Sequence, residues 1–164
     1  MKKNCVALEL IQINNANKLL VWRYILMQIV KHQFRQHGDE RGMLVALEEF
    51  TDTPFAIKRV YFMYGTKENI RRGFHAHRSL KQILICVHGS CKILLDDGYE
   101  KKVVLLETPY EGLYVPNYMW HEMYDFSNDA VLMVVASEVY NEEDYIRDYK
   151  EFLRFYNIEK DISE

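Results

Sequence analysis

The chain has 164 residues, 49% of them hydrophobic, with 12 Tyr and a formal net charge of −3. This composition excludes a disordered chain, and the weakly acidic balance lacks the electrostatic footprint of a nucleic-acid binder. The length suits one domain with a real core. Cys5, Cys86 and Cys91 are too few, and odd in number, for a disulfide framework, and Cys86 and Cys91, which flank a hairpin turn, read as small apolar core residues. The most apolar run, residues 19–30, is too short to cross a bilayer and contains Arg23. Lys2 and Lys3 resemble the start of a secretory leader, but Glu9 and several Asn interrupt the apolar stretch that a leader needs. The expectation is a cytoplasmic protein with no membrane partner.

Residues 1–26 lack strand alternation. They carry Asn14-Asn15-Ala16-Asn17 and then LLVWRYILM, which is either a short amphipathic helix or an adhesive extension. They are set apart as an N-terminal extension outside the core fold. From Met27 the pattern becomes that of short strands separated by turn residues. Strands are expected at 27–34, 43–48 and 55–64, with turns at 37–42 and 51–54. Further strands are expected at 101–106, 112–115 and 119–126, and the unbroken apolar run 130–136 suits a strand buried on both faces. Asn141 then opens an acidic first turn, and Tyr145, Tyr149, Phe152, Leu153 and Tyr156 recur at helical spacing, so one amphipathic helix is expected over 142–156. The expected architecture is all-β, a sandwich or barrel over 27–140, with a helix and tail over 141–164.

The chemistry concentrates in residues 71–98. His75 and His77 are two apart, so in a strand their side chains share a face, with Phe74 and Ala76 on the other. Gln82 comes next, then Ile83 to Val87, a turn at His88-Gly89-Ser90, a second apolar run and a turn at Asp96-Asp97-Gly98. His75-x-His77, four residues, Gln82, six residues, Gly89 fits the first cupin motif with Gln in place of Glu. Pro116 through His121 fits the second, with Tyr118 in place of Gly. Both motifs in order, on an all-β pattern, indicate a cupin-type jelly roll. In metal cupins the corresponding set would be His75, His77, Gln82 and His121. Gln brings a neutral oxygen and no compensating charge, which makes it a poor ligand for a divalent transition metal.

KRVYF (58–62), GFHAH (73–77), DERG (39–42), GSCKILLDDG (89–98), LYVPNYMWHEM (113–123) and DYIRDYKEF (144–152) together resemble the sugar 3,4-ketoisomerases of the WxcM-like cupin branch, over about residues 27–156. The resemblance implies a metal-independent isomerase with no cofactor, acting on dTDP-4-keto-6-deoxyglucose. It also implies a homodimer with strand exchange and a place in making 3-amino sugars for surface polysaccharide such as O-antigen. The essential histidines of the family carry over onto His75 and His77.

The residues suit that chemistry. A ketone at C4 acidifies the C3 proton, and an imidazole removes it near neutral pH to give an enediol. His77 is assigned as the carbon base and His75 as its partner. Arg72, Tyr61 and Tyr114 are candidate donors to the developing oxyanion. Arg41 and either Arg59 or Arg72 are candidates for the diphosphate, whose oxygens match the guanidinium fork; Arg41 has the alternative of pairing with Asp39. Gln82 and His121 complete the expected substrate pocket. A single base that returns the proton to C4 on the face it came from inverts C4 and gives the 3-keto-6-deoxy-galacto product, whereas delivery to the opposite face by a second group gives the gluco one. Both outcomes occur in the family, and because the overall resemblance is closer to the galacto-forming members, that product is the one it implies. The alternatives are a metal-dependent cupin enzyme using His75, His77 and His121, and a non-catalytic sugar-nucleotide-binding cupin.

Overall fold

The computed structural model describes residues 27–67 and 69–156. The expectations for residues 1–26, including the N-terminal helix and Cys5, lie outside the described residues.

Twelve strands are found among the described residues: β1 (Lys31–Gln33), β2 (Gln36–Asp39), β3 (Gly42–Val45), β4 (Arg59–Met63), β5 (Arg72–His77), β6 (Gln82–His88), β7 (Cys91–Asp96), β8 (Lys101–Leu106), β9 (Glu111–Val115), β10 (Trp120–Tyr124), β11 (Val131–Ala136) and β12 (Tyr145–Ile146). One α-helix among the described residues, α1 (Tyr149–Phe155), comes after them. Two five-stranded sheets, ordered β1-β9-β6-β11-β4 and β12-β5-β10-β7-β8, pair antiparallel throughout, and β2-β3 forms a separate hairpin. This is the cupin-type jelly roll that the motifs indicate.

Side-chain alternation explains the core. Cys91, Ile93 and Leu95 of β7 and Val104 and Leu106 of β8 point inward to meet Leu84, Cys86, Leu113, Leu132 and Val134 from the facing sheet. The runs in β6 and β11 are apolar without a break because both their faces are covered. Leu84 and Cys86 look into the barrel, while Ile83 and Ile85, with Val135, pack under Phe34 and Phe55 outside it. Ile83, Leu84 and Ile85 are all within 1% of full burial, each contributing about 1.5–3 kcal/mol. Cys86 and Cys91 are free thiols in this core, in the small-apolar role expected of them. A third cluster, Ala76, Trp120, Ile146, Phe152 and Leu153, lies beneath α1.

Five of the expected elements are corrected, three strands, a turn and the helix. The strands expected at 27–34, 43–48 and 55–64 contract to β1, β3 and β4. The turn expected over 37–42 contracts to the two residues Glu40 and Arg41, because β2 pairs through Asp39↔Gly42 and the Asp39 carboxylate accepts the Arg41 amide at 3.0 Å. The largest correction is the helix. Asn141 does cap a helical turn, but only the 3-10 turn Glu142–Asp144. The chain then extends as β12 and pairs Tyr145↔His77 and Ile146↔Ala76. Asp148 restarts the helix, its carboxylate accepting the amides of Lys150 at 2.7 Å and Glu151 at 3.3 Å. Pairing with β5 buries Ile146 completely, and that apolar gain outweighs helical continuity. No helix of the described residues is long and apolar enough to cross a membrane.

Candidate active site

Two neighbouring strands present the histidines. β5 and β10 pair His121↔His75 and then Glu122↔Gly73, so Phe74 is an extra residue, a β-bulge. Gly73 and Phe74 both have positive φ, 91° and 54°. A Cβ at Gly73 would lie 2.6 Å from the His121 carbonyl oxygen, so the close approach of the strands requires glycine. Beyond the bulge, strict alternation resumes. His75 and His77 share the barrel-side face, and Ala76 packs into the cluster under α1. Phe74 escapes the alternation and is exposed.

The three imidazoles form one cluster. Ring centroids are 4.8 Å apart for His75–His77, 4.4 Å for His75–His121 and 6.0 Å for His77–His121. Tyr145 closes it, its ring 4.9 Å from His75 and 4.3 Å from His77. His77 Nδ1 lies 3.1 Å from Asp144 Oδ2, and His121 Nδ1 lies 3.1 Å from the Met119 carbonyl. His75 Nδ1 and His77 Nε2 are buried without a partner.

Burial disfavours the cationic form of all three rings. It pushes His77 down to about 4, helped by His75 and opposed by Asp144. It lowers His75 and holds His121 well below the ordinary histidine value, where the neighbouring His75 adds to the effect. At neutral pH the site therefore contains uncharged imidazoles, able to accept a proton. One nitrogen from each ring lies within 4.8 Å of the others, a trio that fits a divalent ion of the zinc or iron class through three nitrogens. No carboxylate oxygen joins the trio among the described residues.

A cavity of about 420 Å³ opens beside the cluster, walled by His75, Tyr145, Tyr61, Arg59, Arg72 and Arg147 among others. His77 and His121 are not among its lining residues but contact ones that are, both of them His75 and His77 also Tyr145. Burial, with Tyr145 adding to it, pushes the Tyr61 phenol up to about 12, so Tyr61 remains a neutral hydrogen-bond donor. Arg59 stacks 5.0 Å over the Tyr61 ring and Arg147 4.4 Å over Tyr145. Arg147 also donates to Glu142 at 2.9 and 3.2 Å.

Of the residues singled out in the sequence, His75, His77, His121, Tyr61, Arg59 and Arg72 are brought together here. Arg41 and Tyr114 do not line this cavity. Arg41 is at the tip of the β2–β3 hairpin, doubly bonded to Asp39 and beside a different cavity with His37. Tyr114 packs with the cluster outside the barrel and meets His32 edge-on. Gln82 is buried in β6, paired with Val115 and Ala136, and its amide nitrogen has no partner. Sequence reasoning misses Asp144, Tyr145 and Arg147, because the acidic turn after Asn141 reads as a helix start. The available signal is Asp148, which with Glu151 three residues later makes a second and better capping pattern.

The family model described as FdtA: WxcM-like, C-terminal, matches residues 27–157. The chain belongs to that family. A TDP-4-oxo-6-deoxy-α-D-glucose-3,4-oxoisomerase from Aneurinibacillus thermoaerophilus is 50% identical over 131 residues, covering 78% of this chain and 94% of the relative. A 3,4-ketoisomerase from Helicobacter canadensis superposes with a TM-score of 0.78 at 48% identity, covering 80% of this chain and 99% of the other. A histidine-to-asparagine variant of a Thermoanaerobacterium thermosaccharolyticum 3,4-ketoisomerase, in complex with TDP-4-keto-6-deoxyglucose, superposes with a TM-score of 0.78 at 39% identity, covering 85% and 100%. The WxcM-like chain is thus an enzyme, a sugar-nucleotide 3,4-ketoisomerase, and its histidine cluster and arginine-lined cavity have the chemistry that such an activity needs.

Proposed function

We propose that the enzyme converts dTDP-4-keto-6-deoxyglucose into dTDP-3-keto-6-deoxygalactose through an enediol. The observation that carries this reading is a buried cluster of neutral imidazoles beside a cavity lined by guanidiniums. His77 removes the C3 proton, and the electron pair of that bond enters the C3=C4 enediolate. His75, on the cavity wall, moves the oxygen protons. Tyr61 and Arg72 donate to the enediolate oxygens. Arg59 and Arg147, with Arg72, supply the positive charge that a diphosphate requires. In the gluco ring H3 and H4 lie on opposite faces, so return of the proton by one base to the same face gives the galacto product.

Incubation with dTDP-4-keto-6-deoxyglucose in D₂O, followed by NMR, tests this. The expected result is a 3-keto product, deuterated at C4 in the fraction of turnovers in which the His77 imidazolium exchanges with solvent, with a small H4–H5 coupling in the protiated control. A large, diaxial coupling replaces galacto by gluco. Tight binding with no conversion to a 3-keto product replaces the enzyme by a binding protein.

The imidazole trio favours one second reading, metal-assisted chemistry through His75, His77 and His121. Activity that survives chelation, in protein whose elemental analysis finds no stoichiometric metal, removes it. The enzyme is further proposed to be a homodimer with strand exchange. β4 lies at a sheet edge, and Val60, Phe62 and the adjoining Tyr64 are all more than half exposed, an apolar edge that a soluble chain covers. Light scattering at micromolar concentration tests it. The product is a ketone suited to transamination at C3, in keeping with a 3-amino sugar for surface polysaccharide.

A further inference from the structure

One residue outside the cavity wall closes on the loop leaving β5 at every turn. Asp144 Oδ1 accepts the Ser79 amide at 2.8 Å, its Oδ2 faces the Leu80 amide at 3.2 Å, and its own carbonyl accepts the Arg78 amide at 2.9 Å. The same Oδ2 lies 3.1 Å from His77 Nδ1. The side chain is only 14% exposed, and the next residue is held in register with His77 by β12. A carboxylate accepts and does not donate, so the proton in this contact belongs to His77 Nδ1. The tautomer of a histidine is set by the bond its other nitrogen makes. Nε2 is then the nitrogen with the free lone pair, and it is the one with no partner in the structure.

We infer that Asp144 is the positioning residue of the isomerase, fixing His77 in the Nδ1–H tautomer so that a bare Nε2 faces the cluster. The inference rests on His77 as the carbon base. When Nε2 takes the C3 proton the ring becomes an imidazolium, and its Nδ1–H remains donated to the Asp144 carboxylate. When Nε2 returns the proton to C4 the neutral ring is restored, so Asp144 is unchanged over the cycle. Asn at this position has a single acceptor oxygen. If that oxygen serves Ser79, the amide NH₂ confronts the Leu80 amide and donates to His77 Nδ1, which puts the proton on Nε2 and removes the base. If it serves Leu80 and His77, the Ser79 amide loses its acceptor.

Two measurements test the inference. Long-range ¹H–¹⁵N correlation on the wild-type histidine rings at neutral pH reads the tautomer directly. An Nδ1–H, Nε2-bare ring for His77 is expected, and an Nε2–H ring overturns the inference. For Asp144→Asn, kcat falls by about 100-fold while KM stays within about 3-fold, the pattern for loss of an oriented base. A folded variant with kcat near wild type, or with the loss in KM alone, overturns it. If the variant does not fold, the wild-type tautomer alone decides. If wild-type protein turns over no sugar nucleotide, the functional reading fails while the tautomer is still read on its own terms.

Discussion

Ala76 and the two histidines flanking it are consecutive in the chain and lie in opposite environments. On one face of β5, Ala76 is fully buried against Trp120, Ile146, Phe152 and Leu153. The packing there is of apolar and aromatic side chains, and it holds α1 and β12 to the barrel. On the other face the two rings sit with His121 and Tyr145, and His75 Nδ1 and His77 Nε2 lack partners. A buried polar atom without a partner costs about 1–3 kcal/mol, so that face is held in place at the expense of stability. The difference teaches that the apolar face is the support for the polar one. β12, buried through Ile146, is what sets Asp144 and Tyr145 against the histidines.

The comparison breaks most visibly at His77. His77→Asn is expected to reduce turnover by about 10³-fold with little change in thermal midpoint. NMR of the product and a melting curve check the two halves, and a variant with undiminished turnover removes His77 from the mechanism. The opposite face is probed by Phe152→Ala, which empties a fully buried site and costs about 3–5 kcal/mol of stability. Urea denaturation measures that loss, and turnover by the fraction still folded at low temperature is expected to persist.

Acid sharpens the contrast further. His77 is pushed down to about 4 in the fold, against about 6.5 in the unfolded chain. Between those values the unfolded chain binds the proton and the fold does not. Stability is therefore full above pH 6.5 and declines as pH falls towards 4, by up to about 3 kcal/mol from this ring. Melting points across pH 4–8 check the sign, and a midpoint that rises on acidification contradicts it. The smallest effect compares arginines. Arg72→Ala is expected to raise KM about 10-fold through loss of a charge-assisted phosphate contact. Arg41→Ala, at an exposed ion pair outside the cavity, is expected to leave KM within about 2-fold.

Much of the site is legible in the chain because it obeys a local rule. His75 and His77 share a face by the two-residue period of a strand, and the apolar runs of β6 and β11 announce burial on both sides. His121 is marked by its spacing after Pro116. Gly73 and Phe74 are not legible in this way. Their positive φ values belong to a bulge that exists only because β10 passes within reach of Gly73. Tyr145 reads as a helix-face residue because Tyr149, Phe152 and Tyr156 continue its spacing, and nothing local distinguishes the first member of that series from the rest. Arg41 and Tyr114 stand out by residue type, and type does not specify which cavity a side chain faces.

The order of residues alone determined the barrel, the histidine pair and the family to which the chain belongs, because alternation and motif spacing act over a few residues at a time. The tertiary structure decided where the helix begins, which arginines surround the histidines, and that a carboxylate 67 residues further on reaches His77. Those are contacts between distant segments. Their energies depend on burial and on which backbone groups are left to be paired, and both exist only once the sheets have closed.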